Sequence, residues 1–137
     1  MKTKIGISPT VCFTLCNFVE NYAVMTAKVV FNDILPFKGF MAMCVWPVIF
    51  VRNQAASHYN VVANNHEHIH AEQQKEMLVI FFLLWYGLEW VFRLVQYRDA
   101  HLAYRNISLE REAYSNEKDL DYLRRRKRFA WVKYLRQ

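Results

Sequence analysis

Tyr59 to Glu76, YNVVANNHEHIHAEQQKE, is the stretch on which the fold turns. It lacks Gly and Pro and is predicted to be a helix, in which His66 and His70 stand one turn apart on one face. Two imidazoles so spaced can hold one metal ion, and Glu67, next to the first, is placed to take a proton from metal-bound water. His68 points to another side. His58 lies two turns before His66, about 12 Å away, too far to share the same ion. The apolar residues that follow extend the helical reading from Met77 to Arg98, with a bend expected near Gly87.

Upstream, Lys28 to Phe31 is β-branched and is closed by Asn32-Asp33 and Pro36. Phe40 to Val45 and Val48 to Arg52 then read as two short strands about Trp46-Pro47. Ser8-Pro9 starts a first helix running to about Thr26. Downstream, Ala100 to Asn106 is read as a connection short enough to make its flanking helices neighbours. Ser108 opens a last helical region through Leu135, acidic in its first turn at Glu110 and Glu112 and basic towards its end. The expectation is an α+β fold, mainly helical, with a small antiparallel sheet before the H-E-x-x-H helix, in one domain over residues 1–137.

Composition agrees with that class. Hydrophobic residues make up 54% and aromatics 16% of 137 residues, against 3 Gly and 3 Pro, which excludes a disordered chain and disfavours a turn-rich all-β fold. Cys12, Cys16 and Cys44 are odd in number and lack the second pair a four-thiolate site needs, so they read as buried thiols of a reducing compartment. No convincing signal peptide opens the chain, because Cys16-Asn17 interrupts the apolar stretch from Val11 to Val19. A cytoplasmic location is expected.

The net charge of +6 resides entirely between Lys118 and Gln137, where eight Lys/Arg face two Asp. The simplest reading is a solvated helix with a basic end that suits its own dipole; an anionic membrane surface is the other reading. Arg124 to Arg128 with Phe129 and Trp131 form no base-reading motif, so no specific nucleic-acid partner is expected. The apolar run from Met77 to Leu88 is too short to span a bilayer without carrying Glu89 and Arg93 inside, and is expected to be a buried helix, with membrane contact left open. Glu89 and Arg93, spaced i,i+4, read as a mutual ion pair. Trp85, Tyr86, Trp90, Phe92 and Tyr97 read as core.

A catalytic metal usually takes three protein ligands, so two histidines need a partner. Glu110 and Glu112 are about 200° apart on a helix and cannot both supply it.

With His66-Glu67-x-x-His70 and the later Glu110-Arg111-Glu112-Ala113, the chain resembles the gluzincin zinc metallopeptidases, in particular their minimal, single-domain type. The likeness covers roughly residues 38 to 123 and leaves 1–37 as an N-terminal extension. It implies Zn²⁺ held by His66, His70 and Glu110, with Glu67 as general base acting on a peptide or protein substrate. It also implies a small residue, Ala113, letting the glutamate helix approach the motif helix, and an edge strand at Phe40 to Val45 or Val48 to Arg52. Many gluzincins place Asp four residues after the ligand glutamate to orient a histidine, and here Tyr114 stands there. Tyr114, Asn116 and Glu117 are candidates for that support, and Tyr104, Tyr114 and His101 for stabilising an oxyanion. The alternative to a peptidase is a zinc-binding or membrane-associated interaction protein.

Overall fold

The computed structural model describes residues 27–136. Three strands come first, β1 (Lys28–Asn32), β2 (Ala42–Val45) and β3 (Val48–Arg52). Five helices follow: α1 (Val61–Met77), α2 (Val79–Tyr97), α3 (Ala100–Arg105), α4 (Ser108–Asn116) and α5 (Tyr122–Arg125), then a 3-10 segment at Ala130–Tyr134. The fold is α+β and mainly helical. The helix expected near Ser8 to Thr26, with Cys12 and Cys16, lies outside the described residues; Cys44 is a buried free thiol.

The sheet is mixed rather than purely antiparallel. β2 and β3 form the expected antiparallel hairpin, but β1 pairs in parallel with β3, in the order β1-β3-β2. The chain reverses at each connection, so the first and third strands run the same way, and β1 takes the free side of β3. This leaves β2 as the edge beside α1. Gln74 of α1 closes part of that edge: its Nε2 donates to Cys44 O (2.7 Å) and its Oε1 accepts from Trp46 N (2.8 Å). Cys44, Ile49 and Val51 pack with Ala71 beneath the sheet.

α1 begins at Asn60, whose side chain accepts from Val62 N and Ala63 N. It ends at Leu78, a leucine at φ 59°. The break between the two long helices therefore falls at Leu78, and Gly87 lies within an uninterrupted α2. A bulky residue at positive φ costs about 1–3 kcal/mol, so the corner is held by the packing on either side of it. Ala100 to Asn106, expected as a connection, is mostly the short helix α3, capped by Asp99 Oδ1 accepting from Leu102 N at 2.8 Å.

The expected last helix is broken in two places. α4 stops at Asn116, where the Asn65 side-chain amide donates to Glu117 O (2.9 Å) and Asp119 O (3.1 Å) and so takes up carbonyls that a continuing helix would have used. After α5, Arg126 is drawn inward to Glu76 and Glu112, and Phe129 at φ 54° turns the chain into the 3-10 segment.

α2 is not the buried helix expected. Only Phe82, Glu89 and Arg93 are buried, while Ile80, Phe81, Leu83, Leu84, Leu88, Val91, Phe92 and Val95 are 51–74% exposed. Trp85, Phe92 and Tyr97, read as core, are exposed. The helix keeps its charges inside instead: Glu89 accepts from Ser108 N (3.0 Å) and Ser108 Oγ (2.6 Å), and Arg93 donates to Glu89 and to Leu135 O (3.3 Å each). The i,i+4 ion pair is thus present, facing the protein. Phe82 meets Ile107, Leu109 and Trp131, with Tyr86 and Trp90 partly buried against them.

A candidate metal centre

His66, Glu67 and His70 are all buried on α1, facing Glu110 on α4. The two helices approach closely at Ile69 and Ala113, both fully buried in one cluster. A larger side chain at 113 would push Glu110 away from the histidines. Two imidazoles and one carboxylate converge as a result. His66 Nε2 and His70 Nε2 are 3.1 Å apart, and the Glu110 oxygens lie 3.3 Å from each.

What surrounds the imidazoles sets their protonation. His66 Nδ1 lies 2.9 Å from Glu117 Oε2, and His70 Nδ1 lies 2.8 Å from Gln73 Oε1. The Gln73 amide is oriented by its other end, which donates to Leu109 O and Glu112 Oε2 at 3.0 Å each. Both Nδ1 atoms therefore donate to acceptors, and in a neutral ring each Nε2 is left with a lone pair. Two lone pairs and a carboxylate pointing at one another repel unless a cation or a proton stands between them. The spacing suits an ion, since two ligands at about 2.0–2.1 Å from one tetrahedral centre stand about 3.3 Å apart. The set could hold a metal ion.

Without a metal, a proton serves. Burial alone would push His70 down, but the Glu110 carboxylate overrides it and holds the imidazole at about 9. Burial likewise would raise Glu110, yet His70 and His66 keep it below the usual carboxylate range. Glu67 is raised, first by burial and then by Glu110, against the pull of both histidines and a backbone hydrogen bond from Cys44 on β2. Its Oε2 is buried without a hydrogen-bond partner.

Beside these groups is a cleft of about 820 Å³, lined by Phe40, Met41 and Ala42 at one side and by Tyr86, Trp90 and Tyr104 at the other, with His66 and Glu67 on its wall. A smaller space of about 200 Å³ reaches His70 and Glu110 between Phe37, Phe40 and Phe82.

The structure thus brings His66, Glu67, His70 and Glu110 together. Glu112 is fully buried but points elsewhere, bonded to Gln73, Tyr122 and Arg126. Of the three candidates for supporting a histidine, Glu117 carries the carboxylate. Asn116 instead bonds Glu112 O and Tyr134 Oη. Tyr114 lays its ring edge-on to His66, centroids 4.7 Å apart, with Arg105 over its face. Tyr104 and His101 line the cleft. His68 and His58 are bonded locally, to Asn64 O and Ser57, away from the site.

Gln73 and Tyr86 were not read from the sequence as site residues. Gln73 stands at i+3 from His70, a spacing that signals contact on a helix. Tyr86 reads from the sequence as a core aromatic, yet its hydroxyl donates to Glu110 Oε1 at 2.7 Å. Compared with known proteins, the chain matches no family model, no curated protein and no solved structure. Its function has to be read from the residues of the cleft.

Proposed function

We propose that the chain is a zinc-dependent hydrolase of peptide bonds, of the gluzincin type, with His66, His70 and Glu110 as ligands and Glu67 as general base. The observation that carries this reading is the convergence of two Nε2 lone pairs and the Glu110 carboxylate, with each Nδ1 already engaged. The His₂Glu donor set is one that zinc accepts in hydrolases. When bound, zinc supplies a Lewis acid that acidifies water and polarises a carbonyl.

The chain's own residues do the rest. Glu117 and Gln73 hold the imidazoles in the tautomer that ligation requires. Tyr86 fixes one Glu110 oxygen. Glu67, raised by burial and on the wall of the cleft, accepts a proton from the attacking water and returns it to the leaving amine, a role for which a raised carboxylate is suited.

Metal analysis of purified protein should find one zinc per chain, lost in His66→Ala and in Glu110→Ala. Glu67→Gln should keep the zinc and lower hydrolysis of a casein or peptide-library substrate by about 10³-fold. Equal hydrolysis by wild type and Glu67→Gln removes the catalytic reading, and zinc retained by Glu110→Ala removes the ligand set. Protons should compete with the metal. Because His70 is raised from 6.5 to about 9, the metal-free protein gains stability from this group below pH 6.5 and loses it as pH rises through 9. Zinc affinity should rise over the same interval, as measured by competition with a chromophoric chelator.

A further inference from the structure

The outward face of α2 is the largest feature that the hydrolase reading leaves unused. At 100° per residue, its exposed apolar side chains occupy an arc of about 180°, from Leu83 through Ile80, Val91, Leu84, Val95, Leu88 and Phe81 to Phe92. The arc is therefore wider than the roughly 100° stripe by which an amphipathic helix ordinarily faces a protein core. Glu89 and Arg93, the charged residues of α2, point to the opposite side, where they pair with each other and bond Ser108 and Leu135.

Along one flank of this arc runs the basic C-terminal segment. Phe129 N donates to Glu76 Oε2 (2.9 Å) before α2 begins, Trp131 meets Trp85 at 5.5 Å between ring centroids, and Leu135 O accepts from Arg93. The segment thus follows α2 along most of its length. Its Lys127, Arg128, Lys133 and Arg136 are exposed, as are Phe129 and Val132.

That parallel course decides the orientation. α2 is long and apolar enough to cross a membrane by length and composition. Were it to cross, Lys133, which lies between the levels of Trp85 and Arg93, would sit in the middle of the hydrocarbon, where a cation costs several kcal/mol. Lying flat, α2 puts its apolar arc in the acyl boundary, while the segment beside it meets the headgroups.

We propose that this protein binds an anionic membrane surface, with α2 in the plane of the interface and Lys127, Arg128, Lys133 and Arg136 against lipid phosphates. The inference does not depend on zinc or on hydrolysis.

The test is flotation of the full chain with phosphatidylcholine vesicles, with and without one quarter phosphatidylglycerol. Binding is expected to both, and more strongly to the anionic vesicles. Leu84→Glu with Leu88→Glu, both on the exposed arc, should lower partitioning by at least about 100-fold while the far-ultraviolet circular dichroism stays that of the wild type. Lys133→Gln with Arg136→Gln should lower it by about tenfold on anionic vesicles only. No flotation, or equal flotation by the Leu84/Leu88 variant, overturns the proposal. Environment-sensitive labels at Leu84→Cys and Val95→Cys, in a chain carrying Cys12→Ser and Cys16→Ser, should be quenched equally by a shallow lipid-borne quencher. Unequal depths overturn the in-plane orientation. Labels already shielded from water without vesicles, and unmoved by them, identify residues 1–26 or a second copy as the occupant and overturn the membrane.

Discussion

α1 and α2 are almost equal in length and meet at Leu78, yet they treat polarity in opposite ways. α1 turns Asn65, His66, Glu67, His70, Gln73 and Gln74 inward, while α2 turns Ile80, Leu84, Leu88, Val91 and Val95 outward. Burying polar groups costs free energy unless each finds a partner. The partners of α1 are specific: Gln74 holds the edge of β2, Gln73 and Glu117 hold imidazoles, and Asn65 ends α4. Leaving apolar groups in water is the opposite cost, and α2 has no such compensation among the described residues. A buried polar helix marks where the protein organises itself around a site. An exposed apolar one marks a surface for contact with something outside the described residues.

That contrast can be broken at several points. The largest effect is expected from Arg126→Ala, which strips the buried carboxylates of Glu76 and Glu112 of their shared cation and should cost about 3–5 kcal/mol in urea unfolding. Gln74→Leu is nearly isosteric but leaves Cys44 O and Trp46 N without their partner. It should cost about 2 kcal/mol, and a neutral result would show that the polar interior of α1 is dispensable. Gln73→Ala should weaken zinc binding by about 10–100-fold through loss of the His70 Nδ1 acceptor, read by the same chelator competition. The smallest effect belongs to α2: Leu88→Ala in lipid-free buffer should change stability by less than about 0.5 kcal/mol. A loss as large as that expected for Ile69→Ala, about 2–5 kcal/mol, would mean that the arc is covered by the protein itself.

The candidate site on α1 was legible because His66 and His70 repeat at one helical turn, a local spacing that survives any tertiary arrangement. Glu110 was legible only through its resemblance to a known pattern, since spacing alone left Glu112 equally eligible. Glu117 reaches His66 Nδ1 from the residue just past the last turn of α4. Its position depends on where that helix stops, which Asn65 determines from 51 residues away. The parallel pairing of β1 escaped for a related reason: alternation within a strand tells which face is buried, and says nothing about which neighbour it pairs with. The exposure of α2 was misread because hydropathy counts side chains without direction. Two charges turned inward reverse the meaning of a run that is otherwise uniformly apolar.

Arg126 ties together the two helices that carry the candidate ligands. Its guanidinium donates to Glu76 at the end of α1 and to Glu112 in the middle of α4, at 2.6 Å to the nearest oxygen of each. The two helices that carry the nitrogen and oxygen donors are thereby cross-braced without any contribution from an ion. A zinc finger assembles its chelate as it folds, so its metal uptake is a folding rate. Here the two helices are braced beforehand, so an ion bound at His66, His70 and Glu110 would meet donors already held in place.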